Sequence, residues 1–243
     1  MRIGFTAILA VGMSALLGGA ERTPVLLELF TSEGCSSCPP AEALLEKIDK
    51  IQPLASVNAI VLSEHVDYWN DQGWVDPYSS HAFNTRQDEY GKIFHHEIYT
   101  PQLVVDGSTQ LLGSDVNGVV AAMAKSAQTP KVPVTLTLQS GTGIEVAVDR
   151  LPEALGKGKA GVFLAIADDS ATSKVLRGEN ANQTLHHVAI VHNIKQIGNV
   201  TRTAPFSKQI SLNSAEKGDQ RVIVFVQDSG SGRVFGAAML HSR

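Results

Sequence analysis

Two cysteines three positions apart stand between a predicted strand and a predicted helix, and this feature constrains the fold more than any other. The apolar run Val25–Phe30 is typical of a buried strand and is followed by Cys35-Ser-Ser-Cys38. Apolar residues then recur at helical spacing over Ala41–Ile51, and Pro53 ends the helix. The cysteine pair is therefore expected close to a helix N-terminus.

This placement gives the cysteines a chemistry. A thiolate is the species that attacks a disulfide, and the unpaired N–H groups and the dipole of a helix N-terminus lower the pKa of a nearby thiol. We expect Cys35 to be exposed at the helix end and to act as the attacking nucleophile. Cys38 follows one turn later, where it can attack the mixed disulfide and release the product. Such a dithiol carries its own electrons and needs no bound organic cofactor.

Two other interpretations of the cysteine pair stay open, a metal site and an inert disulfide. A zinc site needs two more ligands, and the chain has no second C-x-x-C. A copper site formed by Cys35, Cys38 and His65 is the metal alternative, because thiolates and imidazole suit copper. An inert disulfide would close too small a loop to contribute much stability.

The first twenty residues have the pattern of a secretory signal peptide. Arg2 supplies a positive charge, Ile3–Leu17 is an apolar run, and Gly18–Ala20 places small residues where a signal peptidase cleaves. We expect cleavage near Ala20 and a mature chain that begins near Glu21, in the bacterial periplasm or outside the cell. Disulfides persist in these compartments.

Composition and charge exclude two classes of partner. The 243 residues include 20 Lys or Arg and 24 Asp or Glu, a formal net charge of -4, so we expect no basic surface for nucleic acid. The N-terminal apolar run is shorter than the ~20 residues that span a bilayer, and no second run of that length follows. We therefore expect no stable membrane span after cleavage.

The hydrophobic period changes near residue 130 and divides the chain. Before it, an Asp106-Gly107 turn between apolar runs predicts a hairpin, and Ser114 is a candidate cap for a helix to about Gln128. Beyond it, about seven short alternating strands with Gly-rich turns are typical of a β-sandwich. The sequence predicts an α+β chain with a signal peptide at 1–20, an α/β domain at 21–130 and an all-β, sandwich-like domain at 131–243.

The order of elements around the cysteines makes residues 24–128 similar to the thioredoxin fold. Four segments also resemble a family of secreted bacterial thioredoxin-like proteins that is catalogued as a domain of unknown function. These segments are Leu29–Pro40, His65–Trp69, Tyr99–Pro101 and Arg177–Asn180. The resemblance covers nearly the whole mature chain. It implies a thioredoxin-like α/β domain followed by the sandwich-like domain, and it supplies no substrate.

The resemblance also assigns a role to Thr100 and Pro101. Pro101 stands in the place of the family's cis-proline, which packs beside the active cysteines and presents its backbone to the substrate chain, with Thr100 beside it. The separation between Cys35 and Pro101 is longer than the compact fold requires, which places an insertion at about 65–99.

Glu28 is an acid inside an otherwise apolar predicted strand. Thioredoxins keep a buried carboxylate under the resolving cysteine, so one hypothesis gives Glu28 a proton-transfer role toward Cys38. The other hypothesis is a carboxylate that points to solvent at a strand edge.

Three functions are consistent with these residues. The first is an exported thiol–disulfide oxidoreductase that acts through Cys35 and Cys38 on a protein or a small thiol or disulfide. The second is a copper-handling protein of the cell envelope that uses the same cysteines with His65. The third is a non-catalytic binding module on a thioredoxin scaffold.

Overall fold

The computed structural model describes residues 22–139, 143–155, 158–211 and 219–242, and the predicted signal peptide at 1–20 lies outside these ranges. Its α-helices are α1 (Pro39–Ile51), α2 (His81–Phe94) and α3 (Val116–Ser126), with a short 3₁₀ helix at Asn70–Gln72. The strands of the first half are β1 (Thr23–Thr31), β2 (Val57–His65), β3 (Gln102–Val105) and β4 (Thr109–Leu112). Helix α3 is capped by Asp115, not by Ser114, because the Asp115 carboxylate accepts the Gly118 N–H at 3.0 Å.

The first half alternates strands and helices. Strand β1 pairs in parallel with β2 and antiparallel with β3, and β3 pairs antiparallel with β4. The local strand order is β2-β1-β3-β4, so β1, which leads into the cysteines, is central. The hairpin predicted around Asp106-Gly107 is confirmed as β3 and β4.

The second half is built of strands, which confirms the α+β class. Its strands are β5 (Val134–Leu138), β6 (Gly143–Val148), β7 (Lys159–Lys174), β8 (Thr184–Thr201), β9 (Phe206–Ser211), β10 (Gln220–Gln227) and β11 (Val234–Ser242). Strands β5, β6 and β9 form a small antiparallel sheet. The other four continue the sheet of the first half, in the order β11-β10-β7-β8-β2-β1-β3-β4.

One sheet runs through both halves of the chain. Strand β8 lies parallel to β2, with Ser63 opposite Ile190. The small sheet packs on the extended part of the large one through a core that includes Val146 and Val224. A sandwich is therefore present, but one of its layers also belongs to the first half. The alternation of apolar and polar residues predicts strands but does not specify which strands pair. The division into two domains near residue 130 stays a prediction.

Helices cover both faces of the sheet around β1. Helices α1 and α3 pack on the face to which Leu27 and Leu29 point. Helix α2 packs on the face to which Leu26 and Phe30 point. Because successive strand residues point to opposite faces, Glu28 shares the α2 face and not the α1 face.

Among the described residues, no helix combines the length and the apolar character required to cross a membrane.

Candidate functional site

The two cysteines form a disulfide in the turn between β1 and α1. The Cys38 N–H donates to the Cys35 carbonyl at 3.1 Å, and Cys38 is the N-cap of α1. Pro39 and Pro40 occupy the first positions of the helix, where a missing N–H leaves no helical hydrogen bond unmade. The helix therefore starts after the second cysteine, and Cys35 lies in the preceding turn.

Cys35 was expected at the surface, and the structure corrects this. Both cysteines have 0% exposure. A segment of the second half lies against the turn: the Asn180 side-chain amide donates to the carbonyls of Glu33 and Cys35 at 2.9 and 3.0 Å, and the Glu179 carboxylate accepts the Ser36 N–H at 3.1 Å. The sequence alone does not show this because the segment is distant along the chain.

The predicted insertion connects the cysteine turn to Thr100. The Trp69 indole N–H donates to the Thr100 hydroxyl at 2.8 Å, and the Trp69 Cβ lies 3.1 Å from the point where a Gly34 side chain would begin. A larger residue than glycine at position 34 would displace Trp69. Thr100 is thus held by a residue that also contacts the start of the cysteine turn.

Pro101 lies beside the first turn of α1. A Cβ added to Gly113 would lie 3.3 Å from the Pro101 Cβ and 2.9 Å from the Ala41 Cβ, so the three residues meet closely. The Thr100–Pro101 peptide bond is cis. The Gly113 N–H donates to the Pro101 carbonyl at 2.9 Å, which fixes the proline to the end of the β3–β4 hairpin.

Glu28 lies on the opposite face of the sheet from the helix that Cys38 caps. Its carboxylate accepts hydrogen bonds from the Arg86 Nε at 2.6 Å and from the Tyr90 hydroxyl at 2.5 Å, both on α2. Glu28 is also fully buried, so it does not point to solvent at an edge. The expectation of a carboxylate that points to solvent is corrected, because parallel strand β2 covers one side of β1 and Arg86 pairs with the carboxylate. The proton-transfer role of Glu28 toward Cys38 stays a hypothesis.

A buried polar cluster adjoins the cysteine turn, and its centre is His187 on β8. The His187 Nε2 lies 3.1 Å from Glu33 Oε1, and its Nδ1 lies 2.7 Å from Glu42 Oε2. Burial alone lowers the pKa of His187, but the two carboxylates outweigh it and raise the pKa to about 10. Glu42 lies in the first turn of α1, where burial raises its pKa and His187 more than offsets this, leaving the pKa below its ordinary value.

The second imidazole of the cluster belongs to His65, the last residue of β2. Its Nδ1 lies 2.7 Å from Asp76 Oδ2, while its Nε2 is buried with no hydrogen-bond partner. Burial raises the pKa of Asp76, but contact with His65 and backbone N–H groups lowers it overall. The His65 and His187 rings meet edge to face with centroids 5.0 Å apart, and the Tyr78 ring lies 5.5 Å from each.

Glu42, His65 and His187 form the group of potential metal ligands found within the described residues, with ligand atoms within 4.8 Å of one another. The set expected from the sequence, Cys35 and Cys38 with His65, differs from this group, and the two sulfurs are bonded to each other.

Sequence reasoning missed most of the cluster. His186 and His187 are adjacent and point apart, as expected for a strand, so the pair is no chelating motif, but His187 alone is buried. Glu33, Glu42 and Asp76 carry no spacing signal. The one indication in the sequence that Glu33 and Glu42 belong to the site is that they lie close to the cysteines along the chain.

Two solved structures resemble this fold. A crystal structure of a protein from Agrobacterium tumefaciens is 28% identical, covers 92% of this chain and 96% of its own, and has a TM-score of 0.74. The protein HBP35 of Porphyromonas gingivalis is 14% identical, with coverage of 92% and 76% and a TM-score of 0.58, which is a likeness of fold alone. No curated protein matches the chain significantly.

A family model gives the assignment. The family described as "Protein of unknown function (DUF1223)" matches residues 26–227, which include the cysteine turn, both histidines of the buried cluster and Asn180. The chain therefore belongs to the DUF1223 family.

Proposed function

We propose that this protein is an exported thiol–disulfide oxidoreductase that acts through Cys35 and Cys38. The observation that carries the proposal is the bonded cysteine pair in the turn from the central strand β1 into the N-terminus of α1. Export is supported by the predicted signal peptide. An exported protein enters compartments in which disulfides form and persist.

The arrangement of the first half supports the same proposal. Its elements follow one another as β-α-β-α-β-β-α, which agrees with the order of elements that makes residues 24–128 similar to the thioredoxin fold, and its strands lie in the order β2-β1-β3-β4. Pro101 adjoins the first turn of α1, and Thr100 is held by Trp69. This position suits a substrate chain that lies along Pro101 while it reacts with a cysteine.

The proposed reaction transfers two electrons by two exchanges. The reduced Cys35 thiolate attacks one sulfur of a substrate disulfide, forms a mixed disulfide and releases the other sulfur as a thiolate. The Cys38 thiolate then attacks the Cys35 sulfur, releases the second substrate thiolate and leaves the Cys35–Cys38 disulfide. The reverse sequence oxidises a substrate dithiol.

Access to the sulfurs requires a movement. Both cysteines are buried, and the segment 177–180 is hydrogen-bonded across the turn. We infer that this segment acts as a cover that leaves the turn when substrate enters. Such a gate shields a reactive sulfur from unselective partners.

A redox titration tests the proposal. The purified protein is equilibrated in glutathione buffers, and alkylation followed by mass spectrometry reports the state of the cysteines. We expect a reversible two-electron couple; a value near −120 mV would indicate disulfide donation and one near −270 mV a reductant, both taken as approximate reference points. Cys38→Ser should accumulate a mixed disulfide, whereas Cys35→Ser should not. A pair that does not exchange under any of these buffers would refute the proposal.

A further inference from the structure

Three buried polar atoms that make no aligned hydrogen bond meet in the buried cluster. Glu42 Oε2, His65 Nε2 and His187 Nδ1 are each buried without a hydrogen-bond partner. Glu42 Oε2 and His187 Nδ1 form an ion pair at 2.7 Å whose geometry is not that of an aligned hydrogen bond, whereas His65 Nε2 has no polar partner. Buried polar atoms are normally hydrogen-bonded, so three such atoms on converging side chains require an explanation.

The opposite nitrogen of each imidazole faces a carboxylate. His65 Nδ1 meets Asp76 Oδ2 at 2.7 Å, and His187 Nε2 meets Glu33 Oε1 at 3.1 Å. Histidines that bind a metal through one nitrogen almost always donate from the other to a carboxylate, carbonyl or water. The cluster has this arrangement twice.

The two outer carboxylates are themselves fixed. The Trp74 indole N–H donates to Glu33 Oε2 at 2.7 Å. Asp76 accepts backbone N–H groups from Glu33 at 2.8 Å and from Tyr78 at 2.9 Å. Both imidazole rings are therefore held in orientation from behind, which leaves His65 Nε2 and His187 Nδ1 as the nitrogens available to a metal ion.

We propose that Glu42, His65 and His187 bind a divalent first-row transition-metal ion, with zinc as the ion that best suits the set. Two imidazole nitrogens and one carboxylate oxygen are a known zinc combination that leaves a fourth position for water. The site uses no sulfur, so it is separate from the cysteine pair and does not depend on the proposed redox function. Three buried carboxylates around two imidazoles also favour a divalent cation.

Zinc binding requires a small rearrangement of the three side chains. Bonds of about 2.1 Å to a tetrahedral zinc ion place ligand atoms about 3.4 Å apart. The three ligand atoms lie within 4.8 Å of one another, so shifts of side-chain torsions suffice. Glu42 Oε2 moves away from His187 Nδ1 as the ion enters between them, and His187 gives up one proton.

Zinc binding by the purified, oxidised protein tests the site. The protein is stripped with a chelator, equilibrated with Zn²⁺ in competition with a chromophoric chelator, and analysed for bound metal. We expect one zinc per chain. Loading with Co²⁺ should give the visible bands of a nitrogen- and oxygen-bound ion without a thiolate charge-transfer band. A wild-type protein that binds no stoichiometric zinc would overturn the proposal, and this result needs no variant to fold.

Substitutions identify the ligands. His65→Gln and His187→Gln should each weaken zinc binding at least about 100-fold, and Asp76→Asn about 10- to 100-fold through the orientation of His65. His186→Gln is the matched control, because His186 is adjacent but exposed, and it should bind zinc as the wild type does. Circular dichroism verifies that each variant is folded.

Three results would assign the metal elsewhere. Undiminished binding in folded His65→Gln and His187→Gln proteins would overturn the proposal. So would a thiolate charge-transfer band, or loss of binding in a Cys35→Ser, Cys38→Ser double variant, since either would mean that the sulfurs are the ligands. The double variant also separates the two proposals: it cannot exchange disulfides, yet it should still bind one zinc.

Discussion

At the scale of single residues, burial and pairing decide which side chains are available for chemistry. Cys35 is in a turn that the sequence predicts to be reactive, but its backbone is held by Asn180 and its side chain is buried. Glu33 and Glu42, on either side of the cysteines, are committed to His187. The site is thus a buried, interlocked group of residues in its oxidised form.

Asn180→Ala should make the disulfide easier to reduce. The substitution removes two hydrogen bonds to the cysteine turn, each worth about 1 kcal/mol, and 1.4 kcal/mol corresponds to a tenfold change in population. We expect reduction by a small phosphine to accelerate about 10- to 30-fold. Arg177→Ala, an exposed change in the same segment, should leave the rate unchanged. Equal rates in Asn180→Ala and wild type would contradict the cover.

Glu28→Gln should destabilise the protein without changing the titration of Cys38. It removes the charge that pairs with the buried Arg86, and breaking a buried pair costs about 3–5 kcal/mol. Chemical denaturation measures the loss, and alkylation of Cys38 against pH measures its reactivity. A shifted alkylation profile in a folded variant would support the proton-transfer role instead.

At the scale of elements, the two faces of β1 pack against different helices. One face carries the helix that follows the cysteines, and the other carries α2 with a buried charge cluster formed by Glu28, Glu64 and Arg86. Two carboxylates share one guanidinium there. Burial and the Glu28 charge raise the pKa of Glu64 well above its ordinary value of 4.5.

Glu64→Gln should stabilise the protein at neutral pH and not in acid. The folded state holds the Glu64 proton more tightly than the unfolded state does. The stability that this proton contributes is therefore complete below about pH 4.5 and is lost as the pH rises toward the folded pKa. Each pKa unit of difference is worth about 1.4 kcal/mol. Thermal melts at about pH 4 and about pH 7 should show the gain only at the higher pH, with the partly exposed Glu46→Gln as the control. A gain of equal size at both values would contradict this origin.

At the scale of the whole molecule, one sheet joins the two halves. Strand β8 carries His187 from the second half to the cysteine turn and lies beside β2, which carries His65. A second link is Arg221 of β10, which binds Asp49 of α1 through two hydrogen bonds of 2.7 and 2.8 Å. The candidate site is complete only when both halves are in place.

The protein should therefore unfold in a single transition. Both tryptophans, Trp69 and Trp74, report on the first half, and far-ultraviolet circular dichroism is dominated by strands from both halves. The two signals should give coincident curves. Asp49→Ala should lower both midpoints together. The free energy of unfolding should fall by about 1.5–3 kcal/mol, as expected for lost hydrogen bonds to a charged group. Two separate transitions would show that the halves fold independently.

The sequence by itself determined the order and type of the elements, the cysteine pair in the turn before α1 and the strand-rich second half, because hydrophobic period, turn residues and proline positions act within a few neighbouring residues. The tertiary structure decided what those elements bring together. It placed Glu28 on the far face from Cys38, buried Cys35 under Asn180, and joined His65 to His187. These outcomes depend on which strands pair across the sheet, and that choice is made by the packing of distant surfaces, which leaves no local pattern in the chain.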